Sequence, residues 1–383
     1  MNAIVNGKVV LPDRIVENAA VLYEDKIIEI VTSQEGMDRA DYITDACGKY
    51  ICPGLIDVHI HGYLGADASD GDAEGLRQMA QGLAKNGVTG FLPTTMTIPW
   101  DELEKAFDTA RTVKEESEQP GWRGAQILGV HAEGPFINPA KKGAQAESAI
   151  LHPDADRVLA HADIIRLMTV ASEVDGGLEF AERILQESNI TLSLGHTNAT
   201  YDEALAGFDI GINHVTHTFN AMTPLHHRNP GVVGAALARD VYAELIADTF
   251  HVHPGLFLPV VKAKGDKLVL ITDCLRSGGM PDGEYTLGGQ AIFLKGIECR
   301  LADGTIAGSV LRLNDAVRNL REHTGISMAQ AVACASINPA RSIGADGEKG
   351  SLAAGKDADI ILMDESCEVY MTVLRGNTIF ERV

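Results

Sequence analysis

Apolar residues change their spacing twice along this chain. From residue 1 to about 52 they fall in short runs, AIVNGKVV and then NAAVLYEDKIIEIV, interrupted at Asn6-Gly7 and Glu24-Asp25. Runs of this length punctuated by turn residues predict short β-strands joined by hairpins. The last stretch returns to the same style, with DADIILMDES, CEVYMTVLRG and NTIFERV separated by turn residues. Neither set alone has enough strands to bury a face. The two ends are therefore expected to meet in one small β-sandwich domain, residues 1–52 with 345–383, flanking a different middle at 53–344.

In that middle, apolar strands alternate with amphipathic helices. Strands are predicted at Leu55–Ile60 and Val88–Thr94, then in QILGVHAE, IIRLMTVA, TLSLGH, INHVTH, AELIAD and LVLITD. The first helix is predicted over Asp72–Asn86, where Leu76, Met79, Ala80 and Leu83 recur at helical spacing ahead of the stop signal Gly87. A second covers Asp101–Glu116, and others lie near Leu178–Glu187, Tyr201–Gly207, Val232–Arg239 and Pro254–Ala263. Eight strands alternating with helices over roughly 220 residues predict an α/β fold, a (β/α)8 TIM-like barrel, for which about 250 residues is typical. A doubly wound open sheet is the competitor, and the even count of eight favours the barrel. From Gly279 to Arg300 the chain departs into Gly-rich hairpin sequence, an excursion expected near the barrel mouth. Helices over Ser309–Glu322 and Met328–Ile337 follow, the second ended by Asn338-Pro339.

Composition narrows the partners. A net charge of -21 repels nucleic acid and anionic membrane surfaces, so neither is an expected partner. The start of the chain lacks a charged segment followed by a continuous apolar run, and no later stretch has the length to span a bilayer, so a cytoplasmic location is expected. Six cysteines, scattered without a Cys-x-x-Cys pair, suit reduced thiols.

Active sites of such barrels gather at the C-terminal ends of the strands. Strand one ends in His59 and His61, which alternation puts on one face with Asp57. Strand three ends in His131 and Glu133, strand five in His196, strand six in His217 and strand eight in Asp273. Five strands thus bring imidazole or carboxylate to one rim, which predicts a divalent metal centre; nitrogen and oxygen donors without thiolate suit zinc or iron. Such an ion lowers the pKa of water to roughly 7 and polarises a carbonyl, and a carboxylate at Asp273 is placed for acid and base work. Hydrolysis of an amide-like bond is the expected reaction. His214 falls on the other strand face and is expected to be structural, His131 suits ligation or support of a ligand equally, and Cys274 is most simply a small buried residue.

PGLIDVHIHG, HAEGPF, LGHT, VTHTFNAM and LITD, followed by GKDADIILMD, resemble the amidohydrolase superfamily over essentially the whole chain. HAEGPF with FNAM resembles, within it, the branch that deacetylates amino-sugar phosphates. The resemblance implies that Glu133, His196 and His217 bind the principal metal and that Asp273 is the catalytic acid and base. It implies a second metal at His59 and His61 with Glu133 bridging, hence one or two ions per subunit. Strand four, IIRLMTVASE, lacks the lysine that many other amidohydrolases place between two metals. FNAMTPLHHRNPG resembles the family's sugar-phosphate loop, in which Asn220, the Ala221 backbone and Arg228 would hold the phosphate with His227 assisting; a guanidinium suits that dianion. His251 matches a histidine near the sugar, and Gln145 stands where several family members carry a histidine after KKGA. A homodimer that completes the phosphate site across its interface is also implied. The expected substrate is N-acetylglucosamine 6-phosphate, in amino-sugar recycling. The galactosamine epimer or another N-acyl sugar phosphate is the alternative, and a non-catalytic scaffold on the same fold is a further one.

Overall fold

The computed structural model of the protein describes residues 1–382. Its centre is a ring of eight strands: β1 (Leu55–Ile60), β2 (Val88–Thr95), β3 (Val130–Glu133), β4 (Ile165–Val170), β5 (Thr191–Leu194), β6 (His214–Val215), β7 (Tyr242–Ile246) and β8 (Leu268–Ile271). Each pairs in parallel with the next. The ring closes just beyond β8, where the Asp273 amide donates to His59 O at 2.8 Å and the His61 amide to Cys274 O at 2.9 Å. Strands buried on both faces read as near-continuous apolar runs, which is why β4 and β8 show no alternation in sequence.

Helices at Ala73–Ala84, Trp100–Ser117, Gly177–Glu187, Tyr201–Asp209, Gly231–Ala238 and Phe257–Lys264 lie between successive strands. Leu76, Met79, Ala80 and Leu83 of the first are buried, as their spacing predicts. Its start is fixed by Asp72, whose carboxylate accepts from the Glu74 amide. Thr200 and Glu203 form a reciprocal capping box at another start. The (β/α)8 architecture expected from the alternation is therefore the observed one.

Strands from both chain ends join in a second sheet, ordered Asn377–Glu381, Val369–Leu374, Ile360–Met363, Tyr50–Pro53, Asn2–Val10, Ile15–Tyr23 and Ile27–Thr32, with Tyr42–Asp45 also paired to Asn2–Val10. Ile4, Val9, Val21, Ile51, Ile360 and Val373 contribute to its own apolar core. A buried charge cluster ties the ends together: Lys349 Nζ donates to Asp357 Oδ2 at 2.8 Å and Asp359 Oδ2 at 2.9 Å, and Lys26 Nζ to Asp357 Oδ1 at 2.6 Å.

Three local expectations are corrected. Asn6-Gly7 is not a hairpin turn but an irregularity inside one nine-residue strand, with Asn6 at φ 56°. Residues Ser33–Arg39 form a helix rather than more strand, started by a Thr32–Glu35 capping box and laid flat by Gly36, where a Cβ would come 2.6 Å from Ala20 Cβ. Asn338-Pro339 opens the helix Ile337–Ser342 instead of ending one, because proline needs no amide partner in a first turn. The excursion forms a three-stranded sheet, Gly283–Leu287, Gln290–Lys295 and Glu298–Leu301. All six cysteines are free thiols, and among the described residues no helix is long and apolar enough to cross a membrane.

Candidate metal centre

Several residues at the strand exits hold an unusual backbone. His196, His217 and Asp273 have φ of 46°, 27° and 51°. Side-chain-bearing residues seldom adopt this region, and each such residue costs on the order of 1–3 kcal/mol. The sharp bend at each exit turns its side chain over the open end of the barrel.

There the ring nitrogens converge on Glu133. Its Oε1 lies 3.0 Å from His217 Nε2, 3.2 Å from His196 Nε2 and 3.3 Å from His59 Nε2, and its Oε2 lies 3.3 Å from His61 Nε2. Asp273 Oδ1 is 3.3 Å from His61 Nε2 and 3.6 Å from His59 Nε2. Three of these imidazoles have their tautomer set from behind. His61 Nδ1 faces Thr94 O at 3.1 Å, His196 Nδ1 faces Lys141 O at 2.8 Å and His59 Nδ1 faces Glu244 Oε2 at 2.9 Å. Carbonyl and carboxylate oxygens only accept, so each Nδ1 donates and each neutral ring keeps its lone pair on Nε2. The result is a pair of Nε2 atoms 3.4 Å apart in His59 and His61, and another 3.1 Å apart in His196 and His217, with two carboxylates between them.

Lone pairs and anionic oxygens packed this closely repel unless protons or a cation lie among them. The protonation energetics say the same. Burial alone would lower the pKa of His61, but Asp273 and Glu133 outweigh it and hold the ring at about 9. His59 is likewise buried, and Glu244 and Glu133 raise it well above the usual range. Burial would raise Asp273, yet its hydrogen bond with His61 and the charge of His59 bring it down to about 2. Glu133 is also driven well below the usual carboxylate value, against its burial, by His196 and His59. The donor atoms of His59, His61 and Glu133, and those of Glu133, His196 and His217, form two groups with all members within 4.8 Å of one another. This is a site built for divalent cation: buried, anionic, rich in imidazole nitrogen and free of thiolate.

A cavity of about 260 Å³ opens above it, lined among others by Glu133, Gln145, Asn220, Ala221, His251 and Asp273, with Leu287 from the excursion and Ile306 from just beyond it. His251 Nδ1 donates to Asp248 Oδ2 at 2.6 Å, which fixes the ring. Arg228 and His227 do not line this cavity. They are exposed and bonded to each other, Arg228 Nη1 to His227 Nε2 at 2.8 Å.

Other histidines and acids of the barrel lie deeper. His131 is fully enclosed, with Nδ1 on Val58 O at 3.1 Å and Nε2 on Thr169 Oγ1 at 2.8 Å, and both nitrogens are thereby used. His214 is buried against Ser193 Oγ at 3.1 Å, away from the cavity. Asp57 shares the strand of His59 and His61, but its carboxylate accepts from Thr272 Oγ1 at 2.6 Å and links β1 to the end of β8. Glu244 of β7 was not singled out by the sequence reasoning. It is 0% exposed, and its Oε2 accepts both from His59 Nδ1 and, at 2.8 Å, from the His217 backbone amide. The available signal was a glutamate inside the otherwise apolar AELIA, since a carboxylate in a buried parallel strand requires partners.

A family model for the amidohydrolases matches residues 50–379, and the chain belongs to that family. It is 38% identical over 381 residues to the N-acetylglucosamine-6-phosphate deacetylase of Bacillus subtilis (strain 168), an alignment covering 97% of this chain and 95% of that one. It is also 38% identical, over 339 residues, to the N-acetylgalactosamine-6-phosphate deacetylase of Escherichia coli O157:H7, covering 87% of this chain and 89% of the relative. Its fold matches that of a mutant N-acetyl-D-glucosamine-6-phosphate deacetylase from Mycobacterium smegmatis, solved in complex with N-acetyl-D-glucosamine-6-phosphate, with a TM-score of 0.90 at 27% identity and 98% of each chain covered.

Proposed function

We propose that this chain is a metal-dependent deacetylase that hydrolyses N-acetylglucosamine 6-phosphate to glucosamine 6-phosphate and acetate, in the recycling of amino sugars. The carrying observation is the convergence of Glu133, His61, His196 and His217, with Asp273 beside them, on the floor of one cavity and of the fully buried His59 against them. A non-catalytic scaffold has no use for so costly a cluster of buried charge. One divalent cation on Glu133, His196 and His217, with His59 and His61 available to another, would activate water and polarise the acetamide carbonyl. The nitrogen and oxygen donors suit zinc or iron.

Asp273 is the group that moves the proton. Its carboxylate takes one from the attacking water and delivers it to the amide nitrogen as the C–N bond breaks, so the amine leaves neutral with acetic acid, which then gives its own proton to solvent and departs as acetate. Among the residues lining the cavity, His251, held by Asp248, is assigned to the sugar and Asn220 with the Ala221 amide to its phosphate, while Gln145 has both ends of its amide bonded within the protein. Arg228 and His227, exposed on their own subunit, are assigned to the phosphate bound by a second copy in a homodimer. Six free thiols suit a cytoplasmic setting.

The galactosamine epimer is the second reading, favoured by the equal identity to the Escherichia coli relative. Side-by-side kcat/KM values on the two N-acetylamino-sugar 6-phosphates decide between them. A clear preference for the gluco epimer supports the reading, and a preference for the galacto epimer replaces it.

A further inference from the structure

Glu133 is shared by both donor groups, and its two oxygens are not equivalent. Oε1 is the oxygen nearer to His217, His196 and His59, whereas Oε2 is the one nearer to His61. Oε2 has one more partner: it accepts a hydrogen bond from Gln145 Nε2. The orientation of that amide is dictated from its other end. Gln145 Oε1 accepts from the Thr97 backbone amide at 2.6 Å, and an amide N–H can only donate, so Nε2 must be the end turned to Glu133. Thr97 Oγ1 in turn donates to Glu133 O at 3.2 Å, which closes a small circuit of Thr97, Gln145 and Glu133.

Gln145 is only 2% exposed, and its loop is pinned on both sides. Its own amide donates to Lys142 O at 2.9 Å, and Gln290 Nε2 of the excursion donates to the neighbouring Ala144 O at 2.8 Å. Both polar ends of the side chain are therefore committed within the protein. Its position at the cavity wall is that of a group acting on Glu133 before any sugar arrives.

A carboxylate oxygen that accepts an N–H gives up one of its lone-pair sites and part of its negative charge to that donor. At Oε1 the hydrogen-bond partner is instead the His196 ring, itself a metal donor. We infer that Gln145 is a positioning residue that makes the two halves of the centre unequal. Glu133 Oε1 with His196 and His217 takes a first divalent ion tightly, and His59 and His61 with Glu133 Oε2 take a second one more weakly. This rests on the metal centre and is independent of which sugar the enzyme uses.

The experiment is titration of chelator-stripped protein with Zn²⁺ against a chromogenic competitor, for the wild type, Gln145→Ala and Gln145→Asn. The wild type should show two binding steps at least tenfold apart. Removing the amide in Gln145→Ala should tighten the second step by about tenfold, within the worth of one hydrogen bond to a charged group that no longer competes with the ion, while the first moves little. Gln145→Asn keeps a polar loop but draws the N–H back by one methylene, and it should narrow the gap in the same sense if Gln145→Ala folds poorly. A merely structural glutamine would weaken both steps together. Two equal steps in the wild type, a single step in wild type and variants alike, or a gap unchanged by either substitution overturns the inference.

Discussion

Glu244 offers the sharpest test of how the fold prepares the metal centre. It does not line the cavity over the metal centre, yet one of its oxygens restrains two ligand-bearing strand ends: it accepts from the His59 ring at 2.9 Å and from the His217 backbone amide at 2.8 Å. Burial opposes its charge, but His59 and His214 outweigh that and hold its carboxyl down at about 2, so it is an anion throughout the working range. Glu244→Leu removes both acceptors. The lost hydrogen bond from His59 is charge-assisted, worth about 1.5–3 kcal/mol, and the His217 amide is left buried without a partner at a further cost of about 1–3 kcal/mol. Those losses appear in the melting temperature of the metal-free protein. Metal affinity should fall separately, by about 10–100-fold, because the His59 ring is no longer held with its lone pair forward. Glu244→Gln retains an acceptor oxygen for both N–H groups and loses only the charge, so its affinity should fall less, toward the tenfold end. Chelator competition for Zn²⁺ measures the affinities, and melting curves of stripped protein measure the fold. Wild-type affinity in both variants, or a greater loss in Glu244→Gln than in Glu244→Leu, would refute the role given to Glu244.

Asp273→Asn should lower kcat by about 10²–10⁴-fold, the usual worth of a positioned acid and base, with metal content unchanged; near-wild-type turnover would remove Asp273 from the mechanism. Arg228→Ala should raise KM for the phosphorylated sugar and leave the unphosphorylated one unaffected, and equal losses on both would remove the phosphate assignment. In the terminal sheet, Lys349→Met strands Asp357 and Asp359 with too little positive charge and should cost about 3–5 kcal/mol of stability by thermal or denaturant unfolding. The same cluster sets an acid limit. Burial would raise the Asp357 carboxyl, but Lys349 and Lys26 bring it below its ordinary value. Its contribution is therefore complete above the unfolded pKa of about 3.9 and is lost as pH falls through the lower folded value. The melting temperature of the wild type should drop on acidification through that range more steeply than that of Asp357→Asn, and parallel curves would contradict the linkage.

The barrel and the positions of Glu133, His59, His61, His196, His217 and Asp273 were legible in the sequence because two strong rules coincide there. Strand and helix periods alternate through most of the middle region, broken between β3 and β4, and the C-terminal end of each strand is an open rim. Asp57 marks where alternation stops being sufficient. It occupies the same nominal face as His59, but the pairing of β1 with β2 is irregular between Asp57 and Ile60, and the carboxylate goes to Thr272. Glu244, and the contacts of Gln145 with Thr97 and Glu133, were illegible for another reason: the partners lie apart in sequence, and no local pattern announces such a pair. The helix Ser33–Arg39 has a single large apolar residue, Met37, so its existence depends on a capping box and close packing at Gly36 rather than on a hydrophobic period. Arg228 is legible as a loop cation, but the structure leaves it exposed and away from the cavity, so nothing within one chain shows the anion it would meet.

Metal, proton-moving carboxylate and phosphate-binding loop are proposed to serve one reaction. Acetate release from purified protein of known metal content, offered N-acetylglucosamine 6-phosphate beside unphosphorylated N-acetylglucosamine, tests all three together. Rapid, chelator-sensitive release from the phosphorylated sugar, with little from the free one, is the predicted result. Metal-loaded protein that releases acetate from neither, or from both equally, would contradict it.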